Sequence, residues 1–418
     1  MRYTDYRGSA DYPRSPRSLR QMSKAAKLRL GAAAVLSCGV ATALALTATA
    51  NASTPHTRHT PHTPHTMGTA TAGMAGTAST PQPTGTAGMA GTASTPQPTG
   101  TAGMAGTAST PQPTGMAGTA VTAGSAGYHF TTLDNASDLT FNQLLGINNN
   151  GHIAGYFGSG AAGHPNKGYL LRPPYGPSRY QNINFPGSVQ TQVTGLNEEG
   201  VQVGFWSTQN NADMTNNNFG FYLAHGRFHS VNFPTGDKAS PPVDQLLGVN
   251  DHDVAVGFYT NGQGNNRGYE YNIMTHRFSQ VLKPGAPGGM AGPSLTAAAI
   301  NNHGDVAGFY AASGGTTDAF LKISHGRFIT LAVPGASMTQ AFGVNDRDEV
   351  VGAYTVGTGD NAQTHGFTWW PGHGFTTVDD PQGMGSTTVN GVNDSGDLVG
   401  FYTDSAGNTD GMLAMPGR

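Results

Sequence analysis

The chain has 418 residues, 37% of them hydrophobic and 11% charged, with 61 Gly, 26 Pro and one Cys. This composition excludes a coiled coil or helical bundle, which needs Ala, Glu, Lys and Leu at helical period, and the lone Cys38 excludes an intrachain disulfide or a cysteine metal cage. Residues 128–418 carry 12 basic and 22 acidic side chains, a formal balance of −10, which would repel a phosphate backbone, so no nucleic acid is expected as a partner.

Residues 1–52 read as a secretion signal. Eight Lys/Arg between Arg2 and Arg29 precede an apolar run from Leu30 to about Ala48, and Ala50-Asn51-Ala52 offers small residues at −3 and −1 for cleavage. The alternative is an uncleaved apolar anchor in the cell membrane, since the run is just long enough to span. With cleavage the product is extracellular, free of the membrane and without any thiol.

Residues 53–127 read as a disordered, low-complexity stalk. A unit of 15 residues runs from Gly85 to Thr99 and again from Gly100 to Thr114, with Met74, Met89 and Met104 marking the period. Gly, Pro and Thr at this density bury too little apolar surface to offset the entropy of ordering. His56, His59, His62 and His65 open the stalk, spaced by three; in a polyproline II helix their imidazoles share one side and could hold Zn²⁺, Cu²⁺ or Ni²⁺. Slippage of a Thr-Pro-His tract accounts for the same pattern without a metal. No cofactor is expected in the remainder.

From Tyr128 one motif recurs six times, first as Gly146-Ile147-Asn148 through Gly155-Tyr156. Its Asn residues (148, 197, 250, 301, 345, 393) are 49, 53, 51, 44 and 48 apart. Each copy divides into four short strands of β-branched and aromatic residues, the Asn turn joining the first two, and repeats of ~40–50 residues with four strands mark propeller blades. The last copy lacks a fourth strand, whereas Tyr128–Asp134 resembles one (compare Phe375–Asp379) and precedes the first motif. The expectation is therefore all-β: a six-bladed propeller over 128–418 whose last blade is completed by the N-terminal strand.

The pattern G-[ILV]-N-x-x-G-x-[VIL]-x-G, followed by a strand opening His365-Gly366-Phe367 or Asp318-Ala319-Phe320, resembles the bacterial extracellular HAF repeat over nearly all of 128–418. The resemblance implies a repeat scaffold and brings no catalytic residues with it. Several copies depart from it, with Lys167, Phe219 and Arg267 where the His stands.

Candidate sites follow from the geometry of a blade. Five residues before each Asn stand Gln143, Gln192, Gln245, Thr296, Gln340 and Thr388, polar on otherwise apolar inner strands. They form either a ligand-binding ring at the channel mouth, suited to sugar hydroxyls, or partners for backbone groups at the crossover into the blade. Asp410 joins them as a ligand-binding candidate. The loops between second and third strands are long and share one face, where binding on a rigid scaffold commonly sits. On that face His365, Asp318, Arg267 and His164 are the candidate catalytic groups, though no spacing makes a pair of them. The Asn-turn acids lack the ladder of an EF-type calcium loop and read as solvated turns. The sequence leans away from an enzyme. Its expected role is a monomeric, secreted, non-catalytic ligand-binding or surface-interaction module for carbohydrate or cell-wall material. The alternative is a polysaccharide lyase or glycoside hydrolase working on the same face.

Overall fold

In a computed structural model the described residues are 127–417, apart from 162, 210–216, 285–291 and 325. The segments read from the sequence as an export signal and a stalk, with the His56–His65 tract, lie outside them. The described residues form 24 strands and two single-turn 3-10 segments, Pro177–Arg179 and Gly359–Asn361. None of their helices is long and apolar enough to cross a membrane.

Strand β1 (Tyr128–Thr132) comes first. Blade 1 is β2 (Asn142–Ile147), β3 (Ile153–Phe157), β4 (Lys167–Leu171) and β5 (Tyr180–Asn182). Blade 2 is β6 (Gln190–Leu196), β7 (Gln202–Ser207), β8 (Phe219–Ala224) and β9 (Arg227–Val231); blade 3 is β10 (Asp244–Val249), β11 (Val254–Thr260), β12 (Asn266–Asn272) and β13 (Arg277–Gln280). Blade 4 is β14 (Leu295–Ile300), β15 (Val306–Ala311), β16 (Thr317–Lys322) and β17 (Phe328–Leu331), and blade 5 is β18 (Met338–Val344), β19 (Val350–Val356), β20 (Gln363–Trp370) and β21 (Gly374–Val378). Blade 6 has β22 (Thr387–Val392), β23 (Leu398–Thr403) and β24 (Thr409–Pro416), and β1 supplies its fourth strand. Among the described residues, then, six four-stranded antiparallel meanders repeat around one propeller.

Closure is antiparallel, with Tyr128 opposite Pro416 and Thr132 opposite Met412. Pairing first and last strands leaves no open edge at the end of the array. Adjacent blades touch at a recurring point around the start of the third strand. Short parallel bridges join Phe141 to Thr409, Asn218 to Val243, Thr317 to Met338 and Thr364 to Ser386.

The motif is explained by packing. In all six copies the register shifts two residues before the Ile/Leu/Val that precedes the Asn, a β-bulge at Leu145, Thr194, Leu247, Ala298, Phe342 and Asn390. The first motif glycine then lies where inner strands of neighbouring blades meet: a Cβ on Gly391 would stand 3.1 Å from the Gly146 Cα. The last motif glycine is tighter still. A Cβ on Gly352 would fall 1.9 Å from the Gln340 carbonyl oxygen and 2.9 Å from the Phe367 ring. Phe367, Phe320 and Phe221, from the third strands, pack their rings against such glycines and are fully buried, each contributing about 1.5–3 kcal/mol by burial. The aromatic after the last glycine is core as well: Tyr259, Tyr310, Tyr354 and Tyr402 are buried, and the half-buried Trp206 stacks on Phe185 at 4.3 Å. Of the tryptophan pair, Trp369 is buried and Trp370 only half-buried, as strand alternation requires.

Candidate functional site

The inner strands present two faces of opposite character. On the short-turn face, each motif Asn spends its whole amide. Its Oδ1 accepts from its own turn, as in His152 N to Asn148 (2.9 Å) and Glu349 N to Asn345 (3.0 Å). Its Nδ2 donates to the carbonyl of the next motif Asn: Asn148 to Asn197 (3.1 Å), Asn197 to Asn250 (3.0 Å), Asn250 to Asn301 (3.0 Å), Asn301 to Asn345 (3.1 Å), Asn345 to Asn393 (3.0 Å) and Asn393 to Asn148 (3.4 Å). The hydrogen bonds close a ring.

A second ring lies one residue on. Backbone N–H groups donate to the side chain of the equivalent residue in the next blade, from Asn149 to Glu198, Glu198 to Asp251 (2.7 Å), Asp251 to Asn302 (2.8 Å), Asn302 to Asp346 (2.7 Å), Asp346 to Asp394 (2.9 Å) and Asp394 to Asn149 (2.8 Å). These residues surround an axial pit of about 80 Å³. Burial, then Asp251 and Asp394, hold the Glu198 carboxyl above its ordinary value, the backbone bond from Asn149 opposing them. The turn acids on this ring are therefore not solvated bystanders, as the sequence suggested; each receives a neighbouring blade's amide.

The long-loop face holds the residues singled out from the sequence. The ring of Gln143, Gln192, Gln245, Thr296, Gln340 and Thr388 does not form a channel mouth: Gln340 is half-buried and the other five are buried. Their partners also differ from expectation. Gln192 Nε2 donates to Asn166 Oδ1 (3.0 Å), Asn266 Nδ2 to Thr296 Oγ1 (3.1 Å), and Gln245 Nε2 reaches Asn218 Oδ1 at 3.5 Å, so these three side chains tie blades 2, 4 and 3 to the blade before. Gln143 instead accepts from Tyr156 within its blade (2.9 Å). Capping of the crossover backbone falls to the preceding residue. Asn142, Thr191, Asp244, Thr339 and Thr387 accept from the N–H of Asn135, Phe185, Phe233, Val333 and Asp380. One residue along a strand reverses the face, which is why the sequence pattern pointed to the neighbour. Asp244 also takes the Tyr269 hydroxyl at 2.6 Å, and burial pushes its carboxyl up to about 6.

The four catalytic candidates stand on four blades, each engaged near its own strand. His164 Nδ1 meets Asp138 Oδ2 at 2.7 Å, with the imidazole 53% exposed. Burial raises the Asp138 carboxyl, but hydrogen bonds from Thr140 and His164 outweigh it and leave the group below its ordinary value. Arg267 donates to the carbonyls of Gly292 (2.7 Å) and Pro293 (3.2 Å). Asp318 accepts from the Tyr310 hydroxyl at 3.4 Å. His365 Nδ1 meets Asp379 Oδ2 at 2.7 Å, its ring stacked 5.2 Å from Tyr354. Asp410 is buried against Tyr402; burial, then Asp134 and Asp404, push its carboxyl up to about 7, the Tyr402 hydrogen bond opposing them. Asp380, also held up by burial, carries a buried Oδ2 without a hydrogen-bond partner.

Two features of this face were not read from the sequence. Asp138 and Asp379 are the partners of the two histidines, 26 and 14 residues away. The same crossovers carry large exposed apolar side chains, Leu139 (62% exposed) and Met384 (70%).

No family model and no curated protein matches the chain. Among solved structures, TolB from Acinetobacter baumannii gives a TM-score of 0.37 at 10% identity over 66% of this chain and 55% of TolB, so the chain spans about half of TolB's length. AofleA from Arthrobotrys oligospora gives 0.43 at 13% identity, covering 70% of this chain and 90% of AofleA. Aleuria aurantia lectin, solved with Fucalpha1-6GlcNAc, gives 0.40 at 11% identity, covering 65% of this chain and 91% of the lectin. The propeller is defined by the chain's own strand pairing.

Proposed function

We propose that the protein is an exported, non-catalytic glycan-binding propeller of the HAF-repeat kind, held away from the cell by its N-terminal stalk and recognising carbohydrate or cell-wall material on the long-loop face. The observation that carries this reading is the pairing of an exposed apolar side chain with a hydrogen-bonded His–carboxylate couple, twice on that face. Leu139 follows Asp138, which holds His164. Met384 lies five residues past Asp379, which holds His365. A pyranose offers an apolar C–H face and an array of hydroxyl donors, and such a combination meets both. Engagement of each catalytic candidate near its own strand, with none brought against another, favours binding over turnover.

The test is a glycan array run with the full chain beside reducing-end and unsaturated-product assays on plant, algal and bacterial polysaccharides. Binding without turnover, weakened by His164→Ala and by Leu139→Ser, is the expected result. Turnover abolished by His365→Ala would replace this reading with a carbohydrate-active enzyme on the same face, and neither binding nor turnover would refute both.

A further inference from the structure

The short-turn face breaks its own repeat at one seam. The positions two and four past one motif Asn and three past the next recur in every copy of the repeat. At five seams these positions hold Asn150, His152 and Gly200; Glu199, Val201 and Asp253; His252, Val254 and Gly304; Arg347, Glu349 and Gly396; Ser395, Asp397 and Gly151. Only between blades 4 and 5 do three metal-ligating side chains coincide: His303, Asp305 and Asp348. Their donor atoms all lie within 4.8 Å of one another.

We propose that His303, Asp305 and Asp348 bind a divalent transition metal of the zinc type at this seam. Asp305 is fixed from behind: its Oδ1 accepts from Ser324 N at 2.7 Å, its N–H bonds Asn301 Oδ1 at 2.9 Å, and the residue is 4% exposed. Asp348 is held in the left-handed region (φ 64°), where four of the six copies have Gly. That conformation costs a non-Gly residue free energy, least for Asn and Asp. Its carboxylate lies within 4.8 Å of the Asp305 carboxylate, and its Oδ1 is buried with no hydrogen-bond partner. Asn301 Nδ2 reaches Asp305 Oδ2 only at 3.4 Å, so two carboxylates face each other with one long hydrogen bond to relieve them, an arrangement that a cation would stabilise. The exposed His303 supplies a nitrogen on the open side, and one imidazole with two carboxylates suits Zn²⁺ better than the all-oxygen shell that Ca²⁺ prefers. The remaining positions would be filled by water, since the site opens to solvent at His303.

The experiment uses the full chain, in which the His56–His65 tract is a second place for metal to sit. Metal held at a blade seam stabilises the fold by mass action, whereas metal on the stalk does not. ZnCl₂ is expected to raise the melting temperature of the natural protein and of a variant with all four tract histidines changed to Ala. Asp348→Gly restores the residue common at this position, so it should fold normally and lose the rise. His303→Ala should lose it too, together with the visible absorption of bound Co²⁺ in the tract-free variant. A zinc-induced rise that survives Asp348→Gly, no rise at all, or an equal rise with CaCl₂ that ignores His303→Ala would each overturn the proposal.

Discussion

Asn393 Nδ2 donates to the carbonyl oxygen of Asn148 at 3.4 Å across 245 positions of sequence. It is the last and longest link in the ring of Asn amides, and it joins the two blades that chain order leaves furthest apart. The same seam is held by Asn390 Nδ2 on the Leu144 carbonyl (3.0 Å), while within blade 6 the N-terminal strand is fastened to β24 past Thr132 by Leu133 N on Gly411 O (2.9 Å) and Gly411 N on Asp134 Oδ1 (2.9 Å).

Closure therefore depends on a short N-terminal piece. Removing residues 128–134 deletes β1, leaves β24 as a bare edge and strips the partners of Gly411. The melting temperature of the truncated chain should fall by ten degrees or more, on the order of several kcal/mol for a lost strand. An unchanged melting curve in circular dichroism would show that the blade closes without it.

The last motif glycine is a packing requirement. Gly352→Ala puts a methyl 1.9 Å from the Gln340 carbonyl, a backbone atom that cannot move without shifting β18. Overpacking of this kind costs ~1–3 kcal/mol and sometimes more. Gly372→Ala is the control: φ is 80° there but nothing lies within 4 Å, so only the conformational cost of about 1 kcal/mol applies. Urea denaturation of both variants should rank Gly352→Ala well below Gly372→Ala.

Much of this architecture was legible because a repeat multiplies weak signals. One Gly-Ile-Asn means little, but six at near-constant spacing set the blade length, and the resemblance of Tyr128–Asp134 to Phe375–Asp379 gave the closure. The site was less legible, for two physical reasons. Gln143 and its equivalents stood out as polar on apolar strands, yet the face they look toward depends on a bulge that sequence does not show. The partners that decide the chemistry of His164, His365 and Asp348, namely Asp138, Asp379 and Asp305, come from crossovers or the neighbouring blade. Their sequence separation follows no motif.

The axial acids act chiefly as acceptors. Both oxygens of Asp346 are engaged by Asn302, Oδ1 from its N–H at 2.7 Å and Oδ2 from its Nδ2 at 2.9 Å. Asp346→Asn removes a negative charge from a crowded ring, which by charge alone would stabilise. It also sets an amide NH₂ against the Asn302 NH₂. With salt at ~0.15 M screening the half-exposed ring, the lost hydrogen bond should win, at a cost of about 1 kcal/mol. Equilibrium unfolding at that ionic strength decides it, and a more stable Asp346→Asn would mean that repulsion governs the pit.

The buried acids set the pH dependence. Glu349, which accepts from Asn345 Nδ2 at 3.1 Å, is pushed up to about 7, chiefly by burial; Asp410 also reaches about 7, and Asp244 about 6. A carboxyl whose value is higher folded than unfolded binds its proton more tightly in the native state. The folded form then holds more protons than the unfolded one between the ordinary carboxylate range and about pH 7, and stability falls as pH rises through that window. The melting temperature should thus be higher at pH 5 than at pH 8 and level off above the folded values. Asp410→Asn keeps a neutral group beside Tyr402, and Glu349→Gln keeps one beside Asn345, so both mimic the protonated state. Combined, they should flatten most of the slope between pH 5 and 8 in thermal unfolding monitored by circular dichroism. A double variant with the slope of the natural protein would show that these carboxyls titrate at their ordinary values.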